Sequence, residues 1–173
     1  MVRDILVYPD KRLKQKSKPV EKFDEELHSL LDDMYDTMVA KNGVGLAAIQ
    51  IGVPLRALII NVPIEEEDGA QPKENTIEVI NPEFIECSGR TKYQEGCLSV
   101  PGFYEEVERY KDVKFKYYDR YGNEHQTQTN DFLAIAIQHE YDHFEGKLFI
   151  EKLSILKRKK FEKEWKKKHK NKS

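Results

Sequence analysis

Asn130-Asp-Phe-Leu-Ala-Ile-Ala-Ile-Gln-His139-Glu140-Tyr-Asp142-His143-Phe-Glu-Gly146 changes the period of the chain from sheet to helix. Asn130 and Asp131 are cap candidates, Phe132 to Ile137 is wholly apolar, and Gly146 suits a helix end. A helix this apolar belongs at the centre of a fold, wrapped by sheet rather than laid on its surface. His139 and His143 stand four residues apart and so share one face, where they can hold a single ion about 2.1 Å from each nitrogen. Ile135 and Ala136 precede His139 by four and three and keep that face apolar up to the ion. Glu140 follows a ligand but points off the ligand face, the position of a proton carrier. Two core histidines bonded to backbone would be the plainer reading, and the adjoining carboxylate argues against it.

Outward from this helix, Leu27, Leu30, Leu31, Met34, Tyr35 and Met38 recur at spacings of three and four. They predict an amphipathic helix capped by Asp24 and closed near Asn42-Gly43, with Gly43 ending it in a tight turn. Strands are expected at 55–60, 76–81 and 90–94. Another is expected where Val113, Phe115 and Tyr117 alternate with Lys114 and Lys116, before the turn at 119–123. Residues 65–75 are acidic and polar and read as an exposed loop. Ser154 can cap a last helix docked by Phe161 and Trp165, with the lysine-rich remainder fraying into water. The sum is one α+β domain over 1–173, with antiparallel or mixed sheets around the central helix and a basic C-terminal helix and tail over 154–173.

Charged residues make up 35% of the chain and the hydrophobic set 39%, which excludes general disorder. No leader pattern or membrane-length apolar run is visible, so a cytoplasmic protein is expected, without membrane partners and as a monomer. The net charge of −2 is uneven. Residues 157–173 hold ten Lys or Arg against Glu162 and Glu164, a net +8, which leaves −10 for the rest. Such an end suits a polyanion such as ribosomal RNA, or serves only to keep the chain in solution.

A hydrolytic centre needs a third ligand and an open position. The extended metallopeptidase pattern His-Glu-x-x-His-x-x-Gly-x-x-His is met at Gly146 and fails at Phe149. Glu162 and Glu164 lie in the basic tail, and histidines 28, 125 and 169 have no supporting motif. Cys97 is the better candidate, because Glu95-Gly-Cys97-Leu98-Ser99 can turn and direct a thiolate inward. Cys87 lies in a strand-like alternation and is taken as structural.

Gly43-Val44-Gly45-Leu-Ala-Ala-Ile-Gln50, Glu95-Gly-Cys97-Leu-Ser99 and Gln138-His139-Glu140-Tyr-Asp142-His143 resemble the three signature motifs of peptide deformylases, in that family's order. The resemblance runs from Ile5 to about Ile155. It implies a peptide-deformylase-like fold and places Cys97, His139 and His143 on the metal. It gives Glu140 to proton transfer, and Gln50 with the backbone N–H of Leu98 to the developing oxyanion. It also implies one ferrous ion, for which zinc, nickel or cobalt can substitute. The implied substrate is the N-formyl-methionyl end of nascent polypeptides.

A divalent ion on one thiolate and two neutral imidazoles keeps a net charge of +1 and can acidify a water, which agrees with these roles. Gly43 and Gly45 would let an extended peptide approach the backbone, with Val44, Ile135 and Ala136 around the methionine side chain. Glu95, Gln138 and Asp142 are read as anchors of the ligand segments, Glu95 through backbone or an arginine and Asp142 through a basic neighbour. Residues 102–109 are expected to flank the peptide, and Ser99 is not read as a nucleophile. Two rivals remain: a zinc metallopeptidase using Glu162 or Glu164 as third ligand, and an RNA- or ribosome-binding protein whose metal is structural.

Overall fold

The computed structural model describes residues 1–169. Ten main elements follow the chain: α1 (Glu25–Ala40), β1 (Gly45–Ala47), β2 (Ala57–Ile60), β3 (Ile77–Ser88), β4 (Thr91–Cys97), β5 (Val100–Arg109), β6 (Asp112–Tyr118), β7 (Glu124–Thr129), α2 (Phe132–Phe144) and α3 (Ile155–His169). Short 3-10 turns separate several of them. Five strands form one antiparallel sheet in the order β1-β2-β3-β6-β7, and β4 with β5 makes a separate two-stranded hairpin.

β2 shows why the larger sheet sits between two helices. All four of its residues are buried, so both faces must be covered by apolar partners. Ala57 and Ile59 join Leu27, Leu31, Met34 and Met38 of α1, while Leu58 and Ile60 join Ala134, Ile137 and Phe144 of α2. The period-two alternation of a strand thus serves two period-3.6 helices at once. The alternation expected at 113–117 is present: Val113 and Phe115 are buried, and Lys114 and Lys116 are on the wetter side. A third cluster ties the hairpin to α3 through Val100, Val107, Leu148, Phe149, Ile150 and Phe161.

Helices α1 and α2 start where the sequence predicts. The Asp24 carboxylate accepts from the Leu27 N–H, and the Asp131 carboxylate from the Leu133 N–H. Asn42, not Gly43, takes the left-handed conformation after α1, at φ 58°. The Gly43 N–H donates to the Met38 carbonyl at 2.8 Å, and a Cβ there would displace the end of the Leu98 side chain and press on Met38.

Three further expectations change. Strands 3 and 4 run to Ser88 and Cys97, because pairing with β6 and β5 carries extended backbone through polar positions that show no apolar alternation. The 65–75 segment is not wholly exposed: the half-buried Gln71 amide donates to the carbonyls of Gly43 and Asn61, both at 2.8 Å. The last helix does not fray after Trp165 but continues through His169, whose ring stacks on Trp165 at 4.0 Å between centroids. Lys170 and Lys172 of the basic tail lie outside the described residues. Among the described residues no helix is long and apolar enough to cross a membrane.

Gly146 closes α2 at φ +73°, and a Cβ there would strike the Lys14 backbone carbonyl. Gly69 has a similar φ of +77° with nothing within 4 Å. Gly69→Ala should therefore cost about 1 kcal/mol in urea unfolding, the left-handed penalty alone, and Gly146→Ala more than about 2 kcal/mol because the steric clash adds to it. Equal losses would remove the packing role of Gly146.

Candidate metal centre

Two elements bring the donor atoms together. α2 presents His139 and His143 from adjacent turns, and the hairpin supplies Cys97 at the end of β4, just before the two-residue turn Leu98-Ser99 that leads into β5. Among the described residues, Cys97, His139 and His143 form the one group of three His, Cys, Asp or Glu whose ligand atoms lie within 4.8 Å of one another. The Cys97 sulfur is 3.6 Å from His143 Nε2. A single ion bound tetrahedrally at ordinary metal–sulfur and metal–nitrogen lengths would set those atoms about 3.6 Å apart, so the pair fits a metal without rearrangement. A thiolate with two imidazoles suits zinc and the other late divalent ions.

His139 is oriented by its far nitrogen, since Nδ1 lies 2.8 Å from Glu95 Oε1. That contact leaves Nε2 for the cluster, the usual way a carboxylate fixes the tautomer of a ligand histidine. Glu95 itself forms a two-pronged pair with Arg109, whose Nε and Nη2 donate to the two carboxylate oxygens at 2.8 Å each. Arg109 Nη1 donates to Asp142 at 2.7 Å. Arg109 is only 4% exposed, so one buried guanidinium joins β5 to the strand carrying Cys97 and to the helix carrying both histidines. Gln138 bonds both the N–H and the carbonyl of Tyr110 at 2.9 Å, clamping α2 to the β5–β6 connection.

The surroundings pull the two cluster histidines in opposite directions. Burial disfavours a charged His139, yet Cys97 and Glu95 hold its pKa well above the ordinary imidazole value. Burial, then the neighbouring His139 and Arg109, push His143 well below that value. Burial opposes ionisation of Glu95 too, and Arg109 with His139 overcomes it, lowering its pKa. Glu140 is buried too, and its Oε1 lies 3.6 Å from His139 Nε2, too weak a contact to offset the burial. Desolvation lifts its pKa to about 7, and its Oε2 has no hydrogen-bond partner among the described residues. A carboxyl poised near neutrality can both accept and return a proton.

The cluster opens on a cavity of about 430 Å3, lined on one side by residues 42–45 and on the other by the β4–β5 hairpin. Gly43, Val44, Gly45, Ile135 and Ala136 all line it, as does Gln50, whereas His143 lies deeper. Gly45 sits on the outer edge of the sheet rather than in a turn, and a Cβ there would press on the Glu140 side chain at 3.3 Å. The Gln50 amide is fixed at both ends: Oε1 accepts from the Ala47 N–H at 2.9 Å, and Nε2 donates to Ser99 Oγ at 3.0 Å and toward Cys97 Sγ at 3.5 Å. Ser99 is therefore a buried support for Gln50. The other candidates stand apart: Glu162 and Glu164 are exposed on α3, His28 and His125 bond Arg120 and Asp119, and half-buried Cys87 packs beside the core in β3. Arg109 is the site residue that sequence reasoning missed. Its signal was indirect, the need of Glu95 and Asp142 for a basic partner.

A model of the polypeptide deformylase family matches residues 2–159. The chain is 60% identical over 166 residues to the peptide deformylase of Nautilia profundicola, covering 96% of this chain and 94% of that one. It is 57% identical over 168 residues to the peptide deformylase of Helicobacter pylori, covering 97% and 95%. The crystal structure of a peptide deformylase from Legionella pneumophila superposes with a TM-score of 0.88 at 43% identity, over the full length of both chains. Likeness this even, through scaffold and site alike, places the chain in the peptide deformylase family.

Proposed function

We propose that this chain hydrolyses the formyl amide at the initiator methionine of nascent polypeptides, releasing formate, and works as a cytoplasmic monomer whose single catalytic domain spans 1–173. The observation that carries this is the buried Glu140 carboxylate, whose Oε2 has no hydrogen-bond partner among the described residues, in the same cavity as Cys97 and His139. Cys97, His139 and His143 would hold one ion, which we assign as ferrous iron on the family resemblance, with zinc, nickel or cobalt able to replace it. When bound, the ion supplies Lewis acidity to the formyl carbonyl and to a water.

The chain's own groups divide the remaining work. Glu140 takes a proton from the attacking water and delivers it to the amine nitrogen that leaves. The Gln50 Nε2–H and the Leu98 N–H are donors for the formyl oxygen as it gains negative charge, and the bonds from Ala47 and to Ser99 keep the amide aimed while it does so. The outer edge of β1, entered through Gly43–Gly45, receives the peptide as an added strand, and Val44, Ile135 and Ala136 enclose the methionine side chain. Arg109 and Glu95 keep the His139 ring in its place throughout. The basic residues of 154–173 give the enzyme a contact for ribosomal RNA near the emerging chain.

Anaerobic purification with metal analysis and a formate-release assay on an N-formyl-methionyl peptide tests this reading, which predicts about one ion per chain and formate production. Glu140→Gln should retain the ion and lose roughly a hundredfold or more in kcat, whereas Cys97→Ala should lose the ion itself. An ion retained without Cys97 would favour a peptidase. Arg109→Met leaves buried Glu95 with His139 alone and half-buried Asp142 without its arginine, and should lower stability by about 3 kcal/mol in urea unfolding, with weakened metal retention. Replacing the exposed Lys159, Lys163, Lys166 and Lys167 with Gln, which keeps the packing of Phe161 and Trp165, should weaken salt-sensitive co-sedimentation with ribosomes while leaving formate release intact; equal co-sedimentation by that variant would clear the tail of that role.

A further inference from the structure

We propose that Gln71 is a positioning residue for the deformylation: its side-chain amide supplies the last rung between the start of β1 and the chain leaving β2, and so fixes the strand edge that receives the peptide. The inference rests on the deformylase reading and adds a residue to it, from the 65–75 segment that the sequence marks only as a polar loop. Gln71 does not line the cavity that holds Cys97, His139 and Glu140, whereas Gly43, Val44 and Gly45 do. Its effect on a substrate must therefore pass through those three.

The backbone ladder stops short of the cleft wall. β1 and β2 pair from Ala47 with Leu58 to Gly45 with Ile60, and one further bond runs from the Asn61 N–H to the Val44 carbonyl at 2.8 Å. Gly43 turns away from the sheet, its N–H donating to the Met38 carbonyl in the last turn of α1. The carbonyls of Gly43 and Asn61 are both acceptors and cannot bond each other, but an NH2 group with two hydrogens can join them. Gln71 Nε2 meets both at 2.8 Å.

The amide has firm supports of its own. Tyr35 of α1 donates its phenol hydrogen to the Gln71 carbonyl at 2.6 Å, and the buried Asn61 side chain donates to the Pro72 carbonyl and to Thr76 Oγ1, both at 2.9 Å. Residues 71 and 72 are thus tied to a core helix and to the end of β2, and the bond to Gly43 passes that rigidity to the strand edge. An added strand bonds at fixed positions along its neighbour, and those bonds weaken steeply once donor and acceptor misalign. Gln50 and His139 are held by other partners, Ala47 with Ser99 and Glu95 respectively. Loosening Gly43 therefore weakens the hold on the peptide backbone and leaves the chemical step alone.

Formate release from formyl-Met-Ala-Ser and from formyl-methionine, which has no following backbone to pair, tests this. Gln71→Met, of similar length but without donors, should raise KM for the tripeptide about fivefold to tenfold with kcat within about twofold, and change kcat/KM on formyl-methionine by less than about twofold. Gln71→Lys, whose ammonium again donates to both carbonyls, should bring the tripeptide KM to within about threefold of the natural value. Tyr35→Phe removes one hydroxyl and keeps the ring, and should raise that KM about twofold to threefold; it decides the matter if Gln71→Met does not fold. A tripeptide KM unchanged by Gln71→Met, or by Tyr35→Phe where only that variant folds, would overturn the role of Gln71. So would a loss seated in kcat, or an equal loss with both substrates. No formate from the natural protein with either substrate would instead overturn the deformylase reading, and this inference with it.

Discussion

The buried guanidinium of Arg109 is the constraint on which the centre depends. It reaches Glu95 two residues before Cys97, and Asp142 one residue before His143, so a single cation sets the hairpin against the helix. Such a group contributes little net stability when compared with an apolar replacement, because desolvation consumes much of the Coulomb gain. What it supplies is register. Carboxylates on β4 and α2 can both be satisfied only when those elements stand at one separation, and that separation places the sulfur 3.6 Å from His143 Nε2. The triad also carries one more negative than positive charge, which favours a cation at the neighbouring cluster.

Around this constraint the cleft is shaped by absent side chains. A Cβ would meet the Leu98 side chain at Gly43, press on Glu140 at Gly45 and meet the Tyr104 ring at Gly96, three positions on opposite walls of the same cavity. None of the three has positive φ, so the usual conformational reason for glycine does not apply. Close approach does. The same absence that brings Glu140 against the sheet edge leaves backbone open for a peptide to pair with.

Features that depend on residues a few positions apart were legible in the sequence. The four-residue step from His139 to His143, the caps at Asp24 and Asp131, and the alternation at Val113 and Phe115 follow from helical and strand periods alone. The group holding Cys97 was legible through motif resemblance together with the failure at Phe149. Contacts across 14 and 33 residues were not, because nothing near Arg109 marks it as a partner for Glu95 and Asp142. The turn after α1 stands at Asn42-Gly43 as expected, but which of the two takes the left-handed region was not legible: asparagine tolerates it, so Asn42 takes it and leaves Gly43 for packing. The persistence of α3 past Trp165 likewise rests on side chains, since an aromatic stack on His169 outweighs the poor prospects of a lysine-rich end.

Phe149 explains why the third donor comes from a distant segment. It stands where the extended metallopeptidase pattern would put a histidine, but it is buried and its ring lies nearly parallel to that of His139, with centroids 5.9 Å apart. Phe149 in turn packs on Phe103 of the hairpin, and Phe103 on Phe161 of α3. The position that could have carried a ligand is thus used to support one, and the hairpin that Phe103 anchors delivers Cys97 instead. Exchanging a neutral imidazole for a thiolate lowers the charge of a dication and its ligands from +2 to +1. A dication held by these residues would therefore attract an anion such as formate less strongly than one held by three imidazoles.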